Sequence, residues 1–209
     1  MYGLSNFISF SEMLRNRTRG EIDLLGTDRL KQIAHYPVDV MLSPGHYFAY
    51  SDCDERVSLD PGLVTRLIER THVEELRGVL AEPAGISMGL GHFHTNWRST
   101  MWWDGKRPEP PHLEDVWLKQ SDVVRLVSKT DDGASIVLSA KAGHNGVSHN
   151  HNDIGHFVIH VDGETLLCDP EKALYDLYRR HGHDQTLFAN SIGHSVPKIG
   201  DTPQSRGKE

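Results

Sequence analysis

Residues 142–170 read AGHNGVSHNHNDIGHFVIHVDGETLLCDP, and this stretch decides the fold. From His156 onward the side chains alternate with period two. Phe157, Ile159 and Val161 fall on one face, His156, Val158 and His160 on the other. Asp162-Gly163 is a tight-turn signal, and ETLLC returns the chain, so the segment predicts a β-hairpin. The apolar triplet reads as the core face, and His156 and His160 as a solvated or cleft-lining face.

Working outward, similar short runs occur at 97–103 (WRSTMWW), 122–128 (DVVRLVS), 134–140 (ASIVLSA) and 185–190 (QTLFAN). With the hairpin they predict at least six strands. Asp131-Asp132-Gly133 supplies another turn, and no helical crossover is long enough for a parallel sheet. The expected class is therefore mainly β and antiparallel. Residues 1–35 instead carry helical spacing interrupted by Gly20 and Gly26, which predicts two or three short helices stopped by Pro37 and Ser43-Pro44-Gly45. A further helix is expected from Pro61 to Arg77, with Asp60 as its N-terminal signal. The organisation that follows is a helical segment and connection over 1–82, a β domain over 83–199 and a mobile polar tail over 200–209. These helices are too few to make a layer of their own, so the chain is expected to be a piece of a larger α-plus-β protein. A small complete domain with a helical cap is the alternative.

The 209 residues hold 22 Lys+Arg against 29 Asp+Glu, a formal net charge of -7. That argues against a nucleic-acid partner, which favours a basic face. No apolar run approaches the roughly 20 residues of a bilayer span, and no signal peptide is evident. Cys53 and Cys168 suggest two buried thiols, or one bridge, and no thiolate metal cluster. Fourteen histidines stand out, eight of them between His144 and His194. Metal binding therefore rests on His and Asp.

His149, His151 and Asp153 are two apart, so an extended backbone would turn all three to one face. Two imidazoles and a carboxylate suit a divalent ion, zinc most naturally. The hairpin brings Asp169 towards this segment as a third ligand or as an acceptor for an imidazole proton. Asn145, Asn150 and Asn152 can supply hydrogen bonds. His194, in ANSIGHSVP, is a further element, and His181 and His183 read as a surface loop. The pattern also invites comparison with the HxHxDH of metal-dependent hydrolases, but residue 154 is Ile.

In order and spacing, the DVWL segment, the block from Gly143 to Phe157, the strand Asp162–Asp169 with Pro170, and Asn190–His194 resemble the C-terminal β domain of heparinase II/III-like polysaccharide lyases. The resemblance spans about Asp115 to Ile199. It implies an antiparallel, supersandwich-like β-sandwich, with residues 1–80 as the last helices of an incomplete (α/α) toroid. It implies a zinc site, or a site for another divalent ion, made by His151, Asp169 and His194, with His149 catalytic in the cleft and Asp153, Asn150 and Asn152 in support. The implied reaction is β-elimination on an acidic, uronate-containing polysaccharide, with a longer precursor exported to the periplasm or beyond. The family's toroid tyrosine and its Asn/His partners have no match here. Tyr47, Tyr50 and Tyr175 are present without a recognised catalytic context, so the chain is expected to be incomplete as an enzyme. Glu171 stands where Gly commonly follows Asp-Pro, and Ser195 where Asn commonly follows the last His. Trp102, Trp103 and Arg98 are candidate sugar contacts, since flat rings stack on sugar faces and a cation suits an acidic polymer. The alternatives are a non-catalytic glycan-binding or structural module, and a metal-dependent hydrolase using HxHxD.

Overall fold

The computed structural model describes residues 2–81, 93–172, 175–182 and 185–207. The chain forms two compact units, Met1–Val38 with Ser58–Pro111, and Asp39–Val57 with His112–Glu209. The break expected at 82/83 lies outside the described residues.

The first unit is helical. It contains α1 (Tyr2–Arg17), most of α2 (Asp28–Asp39), α3 (Pro61–Thr71), a 3-10 turn (Glu74–Leu80) and α4 (Phe93–Trp102). The carboxylate of Asp60 caps α3 by accepting from Leu63 N–H at 2.7 Å, a contact generally worth about 1 kcal/mol. The helix expected to reach Arg77 ends at Thr71, because His72 turns into the left-handed region (φ 59°) and closes it. Leu63, Val64, Leu67 and Ile68 bury one face of α3 with Leu30, Ala34 and Leu76 in the same unit's core. A Cβ on Gly62 would lie 2.4 Å from Ser99 Cα, so only glycine lets α3 and α4 approach this closely. WRSTMWW, expected as a strand, is mostly α4: its aromatic residues carry strand propensity, and tertiary context overrides it. Pro37 does not stop α2, which continues to Asp39. Among the described residues, no helix is long and apolar enough to cross a membrane.

The second unit holds β1 (Met41–Ser43) paired with β2 (His46–Tyr47), and a five-stranded antiparallel sheet. Its strands are β3 (Val116–Leu118), β4 (Val123–Lys129), β5 (Ser135–Lys141), β6 (Phe157–Val161) and β7 (Glu164–Leu167), in chain order. The β6–β7 turn is the expected Asp162-Gly163, both with positive φ (48° and 87°) as a two-residue hairpin turn requires. QTLFAN forms turns, not a strand, and its Ala189 carbonyl accepts from Asn152 N–H at 2.9 Å. A short helix, α5 (Tyr175–His181), precedes it.

One sheet face is buried, and it is unusually polar. The register aligns Val123 with Lys141, Arg125 with Ser139 and Val158, and Val137 with His160. Val123, Val137 and Val158 pack with Leu42, Phe48 and Tyr50. Between them, Arg125 donates to the Glu114 and Met41 carbonyls at 3.0 Å, and Tyr50 donates to Ser139 Oγ at 2.8 Å. The expected sidedness of β6 is thus inverted. His156, Val158 and His160 are buried, whereas Phe157, Ile159 and Val161 are half-buried. Alternation separates two faces but does not say which is inside; here hydrogen bonds let the histidines go in. Cys53 and Cys168 are exposed free thiols, not buried ones. Cys168 follows the edge strand β7, whose residues are largely exposed. The C-terminal segment docks through Gln204, which accepts from Ile154 N–H at 2.9 Å and donates to its carbonyl at 2.8 Å.

Candidate metal centre

The second unit brings His151, Asp169 and His194 together as three buried residues whose donor atoms lie within 4.8 Å of one another. Each arrives by a local device. The β6–β7 hairpin carries Asp169 to the site, where its Oδ1 accepts from Glu171 N–H at 2.8 Å. Glu171 adopts φ 63°, which explains why glycine suits that place. Its own carboxylate is used, accepting from Glu55 N–H at 2.8 Å. Asn190 accepts from Ile192 N–H at 3.0 Å and caps the 3-10 turn Ser191–Gly193 that delivers His194. Gly193 is obligatory there: a Cβ would meet the Leu187 carbonyl oxygen at 1.9 Å.

His151 reaches the interior because the backbone is not extended. His149 takes φ 58°, so the two imidazoles diverge. His151 is fully buried, while the His149 side chain is 77% exposed. The single-face reading of His149, His151 and Asp153 is therefore corrected. Asp153 is buried against Lys141, whose Nζ donates to it at 2.6 Å and to Asn150 Oδ1 at 2.5 Å. Asn150 in turn donates to Asn145 at 3.1 Å and to the His151 carbonyl. Asn150, Asn152 and Asp153 thus build the floor of the histidine loop.

The donor set fits a metal ion. His194 Nδ1 lies 3.1 Å from Asp169 Oδ2, while its Nε2 is buried with no hydrogen-bond partner. An abandoned buried polar atom generally costs about 1–3 kcal/mol, and two imidazoles with a carboxylate are donors that zinc accepts. Burial works to raise the pKa of Asp169, but hydrogen bonds from His156 and His194 prevail and hold it below its ordinary value. Burial also pulls His151 down, against the opposing pull of Asp52, towards the neutral form that ligates.

Three neighbours escaped sequence reasoning. His156 accepts from Ser195 N–H at Nδ1 (2.9 Å) and turns Nε2 to Asp169 Oδ2 at 3.1 Å, so it orients the carboxylate. Asp52 lies 2.8 Å from His149 Nδ1 and 3.3 Å from His151 Nε2, linking the two. Tyr178, on α5, places its hydroxyl 3.5 Å from His151 Nε2. The signals were slight: buried-face parity for His156, and none for Asp52, some 97 residues from His149. The tyrosines considered from sequence serve otherwise. Burial pushes Tyr47 up to about 12, and Tyr50 is raised by burial while bonded to Ser139. The side chain of Tyr175 lies outside the described residues.

Arg98, Trp102 and Trp103 belong to the helical unit. Arg98 donates to Ser9 Oγ at 2.6 Å, the Arg66 guanidinium lies 5.1 Å from the Trp102 ring centre, and Trp103 is exposed. His181 is exposed, and His183 lies outside the described residues. No family model matches the chain, and a search of curated proteins returned no match.

Proposed function

We propose that this chain is the zinc-bearing β domain of a heparinase II/III-like lyase that cleaves uronate-containing polysaccharide by β-elimination. The observation that carries the reading is an exposed His149, held by a carboxylate, beside the buried His151–Asp169–His194 cluster. The motif order described above supplies the family. Zinc suits two imidazoles and a carboxylate, and when bound it orders the loop beneath the cleft. The exposed apolar side chains Phe7, Phe10 and Met13 on α1 suit packing against further toroid helices. On this reading the sheet is one part of a β-sandwich, and the parent protein is exported.

The chain's own residues supply the following chemistry. Because a carboxylate accepts, Asp52 takes the His149 Nδ1 proton as a hydrogen bond and fixes the ring. His149 Nε2 is then the lone-pair end on an exposed side chain. It takes up the C5 proton of the uronate. The C5–H electron pair forms the C4–C5 double bond, the C4–O4 bond breaks, and O4 leaves with a proton from an acid such as the Tyr178 hydroxyl. Groups from the toroid complete the cleft. The hydrolase reading needs Asp153 as a ligand, whereas Asp153 Oδ1 is held by Lys141 and the clustered donors are those of His151, Asp169 and His194.

The test is chemical. Uronate polymers such as heparan sulfate and alginate are incubated with the protein, and ultraviolet absorbance of the unsaturated end is followed beside new reducing ends. Absorbance that disappears in His149→Ala supports elimination. Reducing ends without absorbance would establish hydrolysis instead, and glycan binding with neither product would mark a non-catalytic module.

A further inference from the structure

A second cluster of metal-type side chains lies in the β unit, away from any motif. His46 on β2, Glu55 beyond it and His160 on β6 place one donor atom each within 4.8 Å of one another. His46 Nδ1 is 2.5 Å from Glu55 Oε1, and Thr165 on β7 donates to the same oxygen at 2.7 Å. The His46 and His160 rings lie 5.2 Å apart, centre to centre. His160 is fully enclosed, and the side chains of His46 and Glu55 are each only 14% exposed. This is therefore not a loose surface grouping.

We propose that His46, Glu55 and His160 form a second divalent-metal site, of zinc type, distinct from the His151–Asp169–His194 cluster. Two imidazoles and one carboxylate are a donor set that zinc accepts with its fourth position left to water. An ion bonded at about 2.1 Å would set tetrahedral donors about 3.4 Å apart, so the donors, now within 4.8 Å of one another, draw in while His46 and Glu55, in direct contact at 2.5 Å, part to admit it. Burial, and the neighbouring His46, lower the His160 pKa against the pull of Glu55. The hydroxyls now beside its two nitrogens, Thr165 at 2.9 Å and Ser43 at 2.8 Å, can rotate. One of them then orients the ring from its unligated side, as metal-bound imidazoles require.

The placement suggests what the ion does. His46 and Glu55 stand at the two ends of the loop that carries Asp52. Tyr47 N–H donates to the Glu55 carbonyl at 2.9 Å across the loop's base. An ion shared with His160 pins that base to the sheet, and so steadies the carboxylate that holds His149. The site stands on its own geometry and does not depend on the lyase reading.

The test counts ions. The unmodified chain, stripped by a chelator, is titrated with Zn2+ against a chromophoric competitor and, separately, with Co2+ to follow its ligand-field absorption. Two equivalents are expected. His194→Ala should retain one, and Glu55→Gln, which keeps an acceptor for Thr165, should weaken the other roughly tenfold or more. Thr165→Val, which removes a hydrogen bond but no ligand, should retain both. Uptake of at most one ion by the unmodified chain, lost in His194→Ala, would overturn the proposal. So would an undiminished affinity for two ions in Glu55→Gln. If Glu55→Gln does not fold, as judged by circular dichroism, the ion left in His194→Ala decides: its absence overturns the site. Neither result bears on whether uronate polymers are cleaved, so the two readings fail separately.

Discussion

The two histidine–carboxylate clusters of the β unit use nearly the same side chains and differ in how they are satisfied. At His151–Asp169–His194 a buried imidazole nitrogen has no partner. At His46–Glu55–His160 the hydrogen-bonding contacts form a chain, from Ser43 through His160 and Thr165 to Glu55 and His46. The first cluster is a socket that costs free energy until something fills it. The second is a polar core that stands without an ion and can exchange hydroxyl contacts for one. Similar donor sets therefore need not be equally dependent on metal, and the comparison can be broken at several points.

The largest effect is expected beneath the first cluster. Lys141→Ala would leave Asp153 buried without its cation, and losing one partner of such a pair typically costs about 3–5 kcal/mol. Equilibrium unfolding in denaturant measures this. A cost below about 1 kcal/mol would mean that the Lys141–Asp153 pair does not support the loop. Next comes Gly193→Ala, which forces a methyl group into the Leu187 carbonyl. Overpacking of that kind costs about 1–3 kcal/mol or more. Because Gly193 delivers His194, the variant should also bind one metal ion fewer while the second cluster keeps its own.

Metal removal sharpens the contrast directly. At a free-ion concentration 100 times Kd, a bound ion stabilises the folded state by about 2.7 kcal/mol. Chelation should lower Tm in the unmodified chain by more than it does in His194→Ala. Equal shifts would show that the first cluster contributes nothing beyond the second. The pH response of the metal-free chain follows from depressed pKa values. His151 and His160 both titrate lower when folded than in the unfolded chain, so the folded state prefers them neutral. Their contribution is complete above the unfolded value of about 6.5 and declines as pH falls through the depressed folded values. Asp169, also depressed, adds a loss at still lower pH, below the ordinary carboxylate range. His160→Gln should therefore flatten the higher of these two declines in thermal melts, and an unchanged slope would remove His160 from the account.

How far the clusters could be read from sequence follows the same division. The Asp162-Gly163 turn and the Asp60-Pro61 helix start were legible because each is a local rule. His151, Asp169 and His194 were singled out together through motif resemblance, whereas period-two spacing by itself chose Asp153. That choice failed because His149 breaks the extended geometry. The inward side of β6 was not legible, since burying His156 and His160 depends on Ser195, Thr165 and Ser43, which local pattern does not place. Asp52, His46 and Glu55 join their partners across about a hundred residues or more, where no spacing rule operates.

The smallest expected effect discriminates most finely between the clusters. Thr165→Val removes the hydroxyl shared by His160 Nδ1 and Glu55 Oε1 and nearly preserves side-chain shape. If the second cluster is held only by hydrogen bonds, the variant loses about 1 kcal/mol or somewhat more, because a buried carboxylate oxygen and a buried imidazole nitrogen both lose a partner, and metal does not alter that loss. If an ion can take the place of that hydroxyl, the loss should shrink when Zn2+ is present, since Glu55 and His160 then have a common partner. Melting the variant and the unmodified chain with and without Zn2+, both in the His194→Ala background, isolates the term. A deficit identical in both conditions would mark the second cluster as a hydrogen-bonded core alone, and the contrast would then lie between a metal site and its polar imitation.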